Sequence, residues 1–115
     1  MRALLALTLM PGAALADAAA LAQCVAEAER AAVCVAEGDV ASWDALERRA
    51  YADRLATLAA HDATPGMGAG PLVAGLARDE ADWRAALPVD PAARRAALAA
   101  RIDALWLHTH PVRTE

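Results

Sequence analysis

Residues 23–34 read QCVAEAERAAVC and contain both cysteines of the chain, Cys24 and Cys34. Alanine, glutamate and arginine are strong helix formers, so local preference runs a helix straight through the stretch. Ten residues of straight helix would hold the two cysteines roughly 15 Å apart. A disulfide needs its Cα atoms within about 7 Å. A bonded pair therefore demands a bend somewhere in residues 25–33. An unbroken helix would leave the cysteines free, lipidated or paired between chains.

The residues upstream bear on this choice. Arg2 is followed by the apolar run Ala3 to Met10, a helix break at Pro11-Gly12, and Ala14-Leu15-Ala16 before Asp17. A short positive start, an apolar stretch and a small-x-small site predict a cleaved secretory signal over residues 1–16. The apolar run is too short for a bilayer, which needs about 20 residues. Leu21-Ala22-Gln23-Cys24 offers a rival, in which Cys24 is lipidated and becomes the mature N-terminus. Gln23 is large for the position before such a cysteine, and Asp17 interrupts the preceding apolar stretch. The expected location is periplasmic or secreted, with a Gram-negative periplasm favoured. In an oxidising compartment an even cysteine count reads as a disulfide, so Cys24–Cys34 is the expected pair.

Composition points to helices. Of 115 residues 35 are alanine, all 11 basic residues are arginine, and phenylalanine is absent. Alanine buries little area per residue, so the core is thin and gains from a staple. The predicted mature chain, 17–115, carries 10 arginines against 15 acids, a net charge of −5. Residues 17–62 hold nine acids and four arginines, whereas 63–115 hold six of each. An acidic first half disfavours nucleic acid and suits a basic partner; it also serves solubility.

Asp17 can cap a first helix running from Ala18 to Glu37, ended by Gly38. Asp39 or Ser42 can cap a second that reaches about Asp62. Its apolar positions, Val40, Trp43, Leu46, Ala50, Tyr51, Leu55 and Leu58, cover about half the circumference at 100° per residue. Residues 63–71, ATPGMGAGP, form a linker, since three glycines and two prolines cannot continue a helix. A phosphate-binding loop is excluded there, because no lysine follows and no strand precedes. A third helix spans Leu72 to Leu87, with Leu72, Leu76, Trp83 and Leu87 on one stripe. Asp90 and Pro91 are a helix cap and a first-turn proline. They start a fourth helix that runs to about Leu107, with Leu98, Ile102, Leu105 and Trp106 inward. No segment alternates with period two. The expectation is an all-α protein: a small bundle of about four helices, one domain over 17–110, then a tail at 111–115.

Candidate chemistry is sparse. His108 and His110 invite a metal, but a working site needs three or four ligands, and only His61 and scattered carboxylates are on offer. Met67 stands alone. Ser42 is the only serine and fits a helix cap better than a nucleophile, and the cysteines lack CxxC spacing. Glu47 beside Arg48 and Arg49 reads as a solvated face. Each tryptophan lies on its helix's apolar stripe, which predicts core packing over an exposed anchor. No constellation for catalysis emerges, so no enzyme and no cofactor are expected.

From Cys24 to Leu55 the chain resembles the LprI-type lysozyme inhibitors, a family of secreted bacterial proteins. The resemblance rests on Cys24, on EAERAAVC ending at Cys34, and on Trp43-Asp44, Tyr51 and Leu55. Residues 76–87, LARDEADWRAAL, are similar to a later family helix, with Trp83 at its aromatic position. Glu47-Arg48 stands where the family carries Leu-Asn, and the later family cysteines are missing. The resemblance implies a periplasmic or secreted helical domain, without catalytic activity, that blocks a lysozyme.

A common animal-type lysozyme is basic and works through two carboxylates in a cleft. An acidic helical face would steer onto such a surface, and Glu27, Glu29, Glu37, Asp39, Asp44 and Glu47 are the residues expected to form it. The expected function is thus an exported, non-enzymatic protein-binding module with a protein partner, a basic lysozyme being the instance the resemblance implies. Two alternatives stay open: a structural or accessory envelope protein, and weak metal binding through His108 and His110.

Overall fold

In a computed structural model the described residues are 18–66 and 71–106. The expected signal segment 1–16, Asp17, residues 67–70 of the linker, Leu107, His108, His110 and the expected tail lie outside them.

The chain is all-α. Residues 18–27 form helix α1. A short 3-10 turn follows at Ala31–Cys34, then α2 at Val40–Ala63, α3 at Leu72–Ala85 and α4 at Pro91–Trp106. The expected single helix from 18 to 37 is therefore two pieces. The α-helix stops at residue 27, the chain bends at 28–30, and only then does the 3-10 turn begin. The cause is the disulfide between Cys24 and Cys34, whose Cα atoms lie 6.0 Å apart. Helix propensity alone would set them far beyond bonding distance, so the crosslink overrides it.

Each later helix begins on a side-chain acceptor. Asp39 Oδ1 accepts from the Ser42 amide at 2.8 Å and starts α2. Gly38 just before it has φ +74°, and a Cβ there would meet the Leu21 side chain at 3.3 Å. Glycine alone satisfies both the backbone and the space. Asp90 caps α4 by accepting from the Ala93 amide at 3.0 Å, with Pro91 in the first turn. The first residue of α3 follows Pro71, which has no side-chain donor or acceptor. Asp62, from the end of α2, supplies the cap instead and accepts from Leu72 and Val73 amides at 3.0 Å each. Helix α3 ends at Ala85, two residues before the expected Leu87, because Pro88 disfavours helical backbone in the residue before it.

Helices α2 and α3 run antiparallel, as the Asp62 contact at one end and an Arg84–Asp44 contact near the other require. Helix α4 lies on α2 in the same sense. Its first turns approach Gly38, whose carbonyl accepts from Arg95, and its last turn approaches Asp53, which accepts from the Trp106 indole at 3.2 Å. No Cα of α3 comes within 8 Å of one in α4. The core gathers Leu21, Ala31, Cys34, Trp43, Leu46, Ala50, Leu98, Ala99, Ile102 and Leu105. Trp83 and Trp106 are half-buried against it, and Trp43 is wholly enclosed. Its indole N–H donates to the Glu37 carbonyl at 2.8 Å, the partner a buried tryptophan needs.

Candidate functional site

Two constellations stand out: a disulfide-closed acidic rim on the surface, and an ionic junction inside.

The rim is built on the Cys24–Cys34 loop. The loop is held at three places. The disulfide closes it, Trp43 takes the Glu37 carbonyl behind it, and Asp103 of α4 accepts from the amides of Ala31 at 2.6 Å and Ala32 at 3.3 Å. Cys34 is buried and Cys24 half-buried, as expected of a bonded pair at the edge of a core. Around this loop Glu27, Glu29, Glu37 and Asp39 are exposed. Among the described residues none of these four carboxylates forms an ion pair with an arginine. Glu27 accepts from Gln23, and Asp39 is committed to its helix cap. Backbone and side-chain hydrogen bonds from Ser42 hold the Asp39 carboxyl below the usual carboxylate range.

The other two residues expected on that face are elsewhere. Asp44 is half-buried and paired: Oδ1 accepts from Arg84 Nη1 at 2.7 Å and Oδ2 from Arg48 Nε at 2.9 Å. Burial opposes its ionisation, yet the two arginines outweigh burial and lower its pKa. Glu47 is not on a solvated face at all, because its exposure is 0%. It occupies the centre of the helix stripe that buries Trp43, Leu46 and Ala50, at the spacing of residues sharing one side of a helix.

Glu47 belongs to the junction where α2, α3 and α4 meet. Glu80 is the one buried residue of α3, at 5% exposure. Arg84 reaches across from α3, donating through Nη2 to Glu47 Oε1 and through Nε to Glu80 Oε2 at 3.2 Å. Arg101, from α4, donates through Nε to Glu80 Oε1 at 3.1 Å and through Nη1 to Asp79 at 2.9 Å. Trp83 lies against both guanidiniums, with centroid distances of 5.1 Å to Arg101 and 5.8 Å to Arg84. Burial first, then a hydrogen bond with Glu80, push the Glu47 carboxyl up to about 7 in spite of Arg84. Burial works against the Arg84 charge, but Asp44 and Glu47 raise its pKa further above its usual value.

Within the junction the acids and arginines are engaged with one another. An open cleft of about 340 Å³ lies between α1 and α2, lined by Leu21, Ala22, Ser42, Ala45, Leu46 and Arg49 among others. No histidine lines it, and the carboxylate beside Ser42, that of Asp39, is committed to the α2 cap. Among the described residues no group of three or more His, Cys, Asp or Glu is placed to hold a metal ion. His61 is half-buried near the end of α2, and its Nδ1 is buried without a partner. No helix among the described residues is long and apolar enough to cross a membrane.

Comparison with known proteins adds no relative: no family model, curated protein or solved structure matches this chain.

Proposed function

We propose that the chain is an exported, non-enzymatic module that binds a basic protein through the acidic rim of its disulfide-closed loop. The single observation that carries this reading is the placement of Glu27, Glu29 and Glu37. They are exposed, they sit on or beside a segment fixed by a covalent bond, and no arginine among the described residues neutralises them. Unpaired carboxylates on a rigid rim cost little ordering on binding and give a field that steers a cationic surface. Asp44 and Glu47 take no part in this surface, because arginines and burial occupy them. The resemblance of residues 24–55 to LprI-type inhibitors supplies the partner class, a basic lysozyme.

The test is lysis of a cell-wall substrate by a basic lysozyme at low ionic strength, with binding followed in parallel as salt is raised. Inhibition that fades as salt is added is expected, since exposed charges are screened over about 10 Å at 0.1 M. The triple change Glu27→Gln, Glu29→Gln, Glu37→Gln should slow association without unfolding the chain. No binding at the lowest salt would remove the proposal.

A further inference from the structure

The interior junction carries more acid than base. From α2 come Asp44 and Glu47, with Arg48 behind Asp44; from α3 come Asp79, Glu80 and Arg84; from α4 comes Arg101. Four carboxylates thus face three guanidiniums. Leaving out the exposed members Asp79 and Arg48 makes it three against two, so one acid is surplus on either count. No charged side chain of α1 or the 3-10 turn forms an ion pair here among the described residues.

The surplus can be located. Both Glu80 oxygens accept from arginines, and so does Glu47 Oε1. Glu47 Oε2 is buried and has no hydrogen-bond donor; Arg101 Nε stands 3.9 Å from it. Ionised, Glu47 is paired with Arg84 through Oε1 alone and leaves Oε2 a buried acceptor with no donor, which is costly. A proton on Oε2 removes the charge and creates a donor, and Glu80, held on the same Arg84 guanidinium as Glu47, is the neighbouring carboxylate that can receive it.

We propose that Glu47 and Glu80 form a proton-operated clasp that docks α3 on α2: closed while Glu47 holds a proton, loosened when it releases that proton. Helix α3 is the element this clasp governs. Glu80 is its only buried residue, and none of its Cα atoms comes within 8 Å of one in α4. Its hold on the rest of the fold therefore rests on the Asp62 cap at its start, on the flanking Leu76, Trp83 and Leu87, and on this junction. Loss of the proton leaves two adjacent carboxylates ionised in the interior, and the repulsion falls between α2 and α3. The clasp goes beyond the binding role proposed above and does not depend on it.

The sign of the pH response follows. A carboxyl whose affinity for its proton is higher in the folded state favours folding at low pH and loses that contribution as pH rises. With Glu47 moving from its usual 4.5 to about 7, the folding equilibrium constant should fall on the order of 50-fold between pH 5 and pH 8. The experiment is urea unfolding of the full chain, disulfide intact, at pH 5, 6, 7 and 8, for wild type and Glu47→Gln. Glutamine is neutral and keeps a donor toward Glu80, so the variant should lack most of the wild-type decline. Hydrogen exchange, corrected for intrinsic rates, should show α3 amides losing protection before those of α2 and α4 as pH rises.

A protonated-carboxyl stretch in the wild-type infrared spectrum, present at pH 5.5 and gone at pH 8, reads the same proton without any substitution. It keeps the test decisive should Glu47→Gln fail to fold. Wild type equally stable at pH 5 and pH 8, an unchanged slope in Glu47→Gln, or no such stretch would each overturn the clasp.

Discussion

Asp103 reaches back 72 residues along the chain to accept the Ala31 amide at 2.6 Å, and the same carboxylate takes the Ala32 amide at 3.3 Å. The 3-10 turn has no side-chain cap of its own, since Arg30 at its start offers none. Asp103 does for that turn what an N-cap residue does for a helix, but from α4. Asp103→Ala should cost about 1–2 kcal/mol, the range for losing an N-cap acceptor. Asp103→Asn should cost less, because its amide oxygen still accepts one bond. Denaturant unfolding reads both; equal stability of Asp103→Ala and wild type would show that solvent caps the turn as well.

The disulfide closes a loop of ten residues in sequence separation. Chain-entropy arguments give about 2–3 kcal/mol for a loop of that size. The double variant Cys24→Ser, Cys34→Ser should lose that amount, and α1 should lengthen, because helix propensity then favours continuing past residue 27. Circular dichroism would register the change as helix gained at 28–33 against tertiary signal lost around Trp43. A variant with unchanged unfolding midpoint would mean that Asp103 and Trp43 hold the loop unaided.

Arg84 serves three carboxylates at once: Asp44, Glu47 and Glu80. Removing it strands Glu47 in the interior, whereas Asp44 keeps Arg48 and Glu80 keeps Arg101. Breaking a buried ion pair from one side costs about 3–5 kcal/mol. Arg84→Met should approach that range at pH 8, where Glu47 has released its proton, and cost less at pH 5, where Glu47 is neutral. The pair Arg84→Met, Glu47→Met should recover much of the loss, since no charge is then left behind, giving a coupling energy of about 1 kcal/mol or more in a double-mutant cycle. Additive losses would place the cost in packing.

The helices were legible in the sequence because their signals are local. Asp39, Asp90-Pro91 and the glycine-proline linker mark ends through backbone chemistry that needs no knowledge of neighbours. A bend within 25–33 follows from the expected Cys24–Cys34 bond, but not from local preference, which runs one helix from 18 to 37; its place at 28–30 is set by the covalent bond. Of the acids expected on one face, Glu27, Glu29, Glu37 and Asp39 are exposed. Asp44 and Glu47 were misplaced by assuming that a carboxylate beside arginines in sequence faces water.

A signal for the junction was nevertheless present. Glu47 falls on the stripe of Trp43, Leu46 and Ala50, Glu80 on that of Leu76, Trp83 and Leu87, and Arg101 between Leu98 and Leu105. Three charges at core positions of three helices are matched to one another, but that matching is a tertiary fact. Asp103 and Asp62, capping elements other than their own, are hidden for the same reason.

Opposite pKa shifts place the stability maximum at mildly acidic pH. Asp39, Asp44 and Asp62 all have carboxyls lowered from the usual 3.8. For Asp62 the cause is the pair of amides of Val73 and Leu72. A lowered pKa contributes stability that is present above 3.8 and is lost as pH falls through the folded value. Glu47, raised from 4.5 to about 7, contributes in the opposite sense and is lost as pH rises across that interval. The acid limb therefore begins below the neutral limb, and thermal midpoints measured from pH 2 to pH 8 should peak at roughly pH 4–5. Asp62→Asn should flatten the acid limb while leaving the neutral limb unchanged, because its cap no longer depends on ionisation and it lies at the far end of α3 from Glu47. Amide exchange should locate the effect in the first turn of α3. A midpoint that climbs steadily from pH 5 to pH 8 in wild type would contradict the assignment of Glu47, and an acid limb unaffected by Asp62→Asn would contradict the cap.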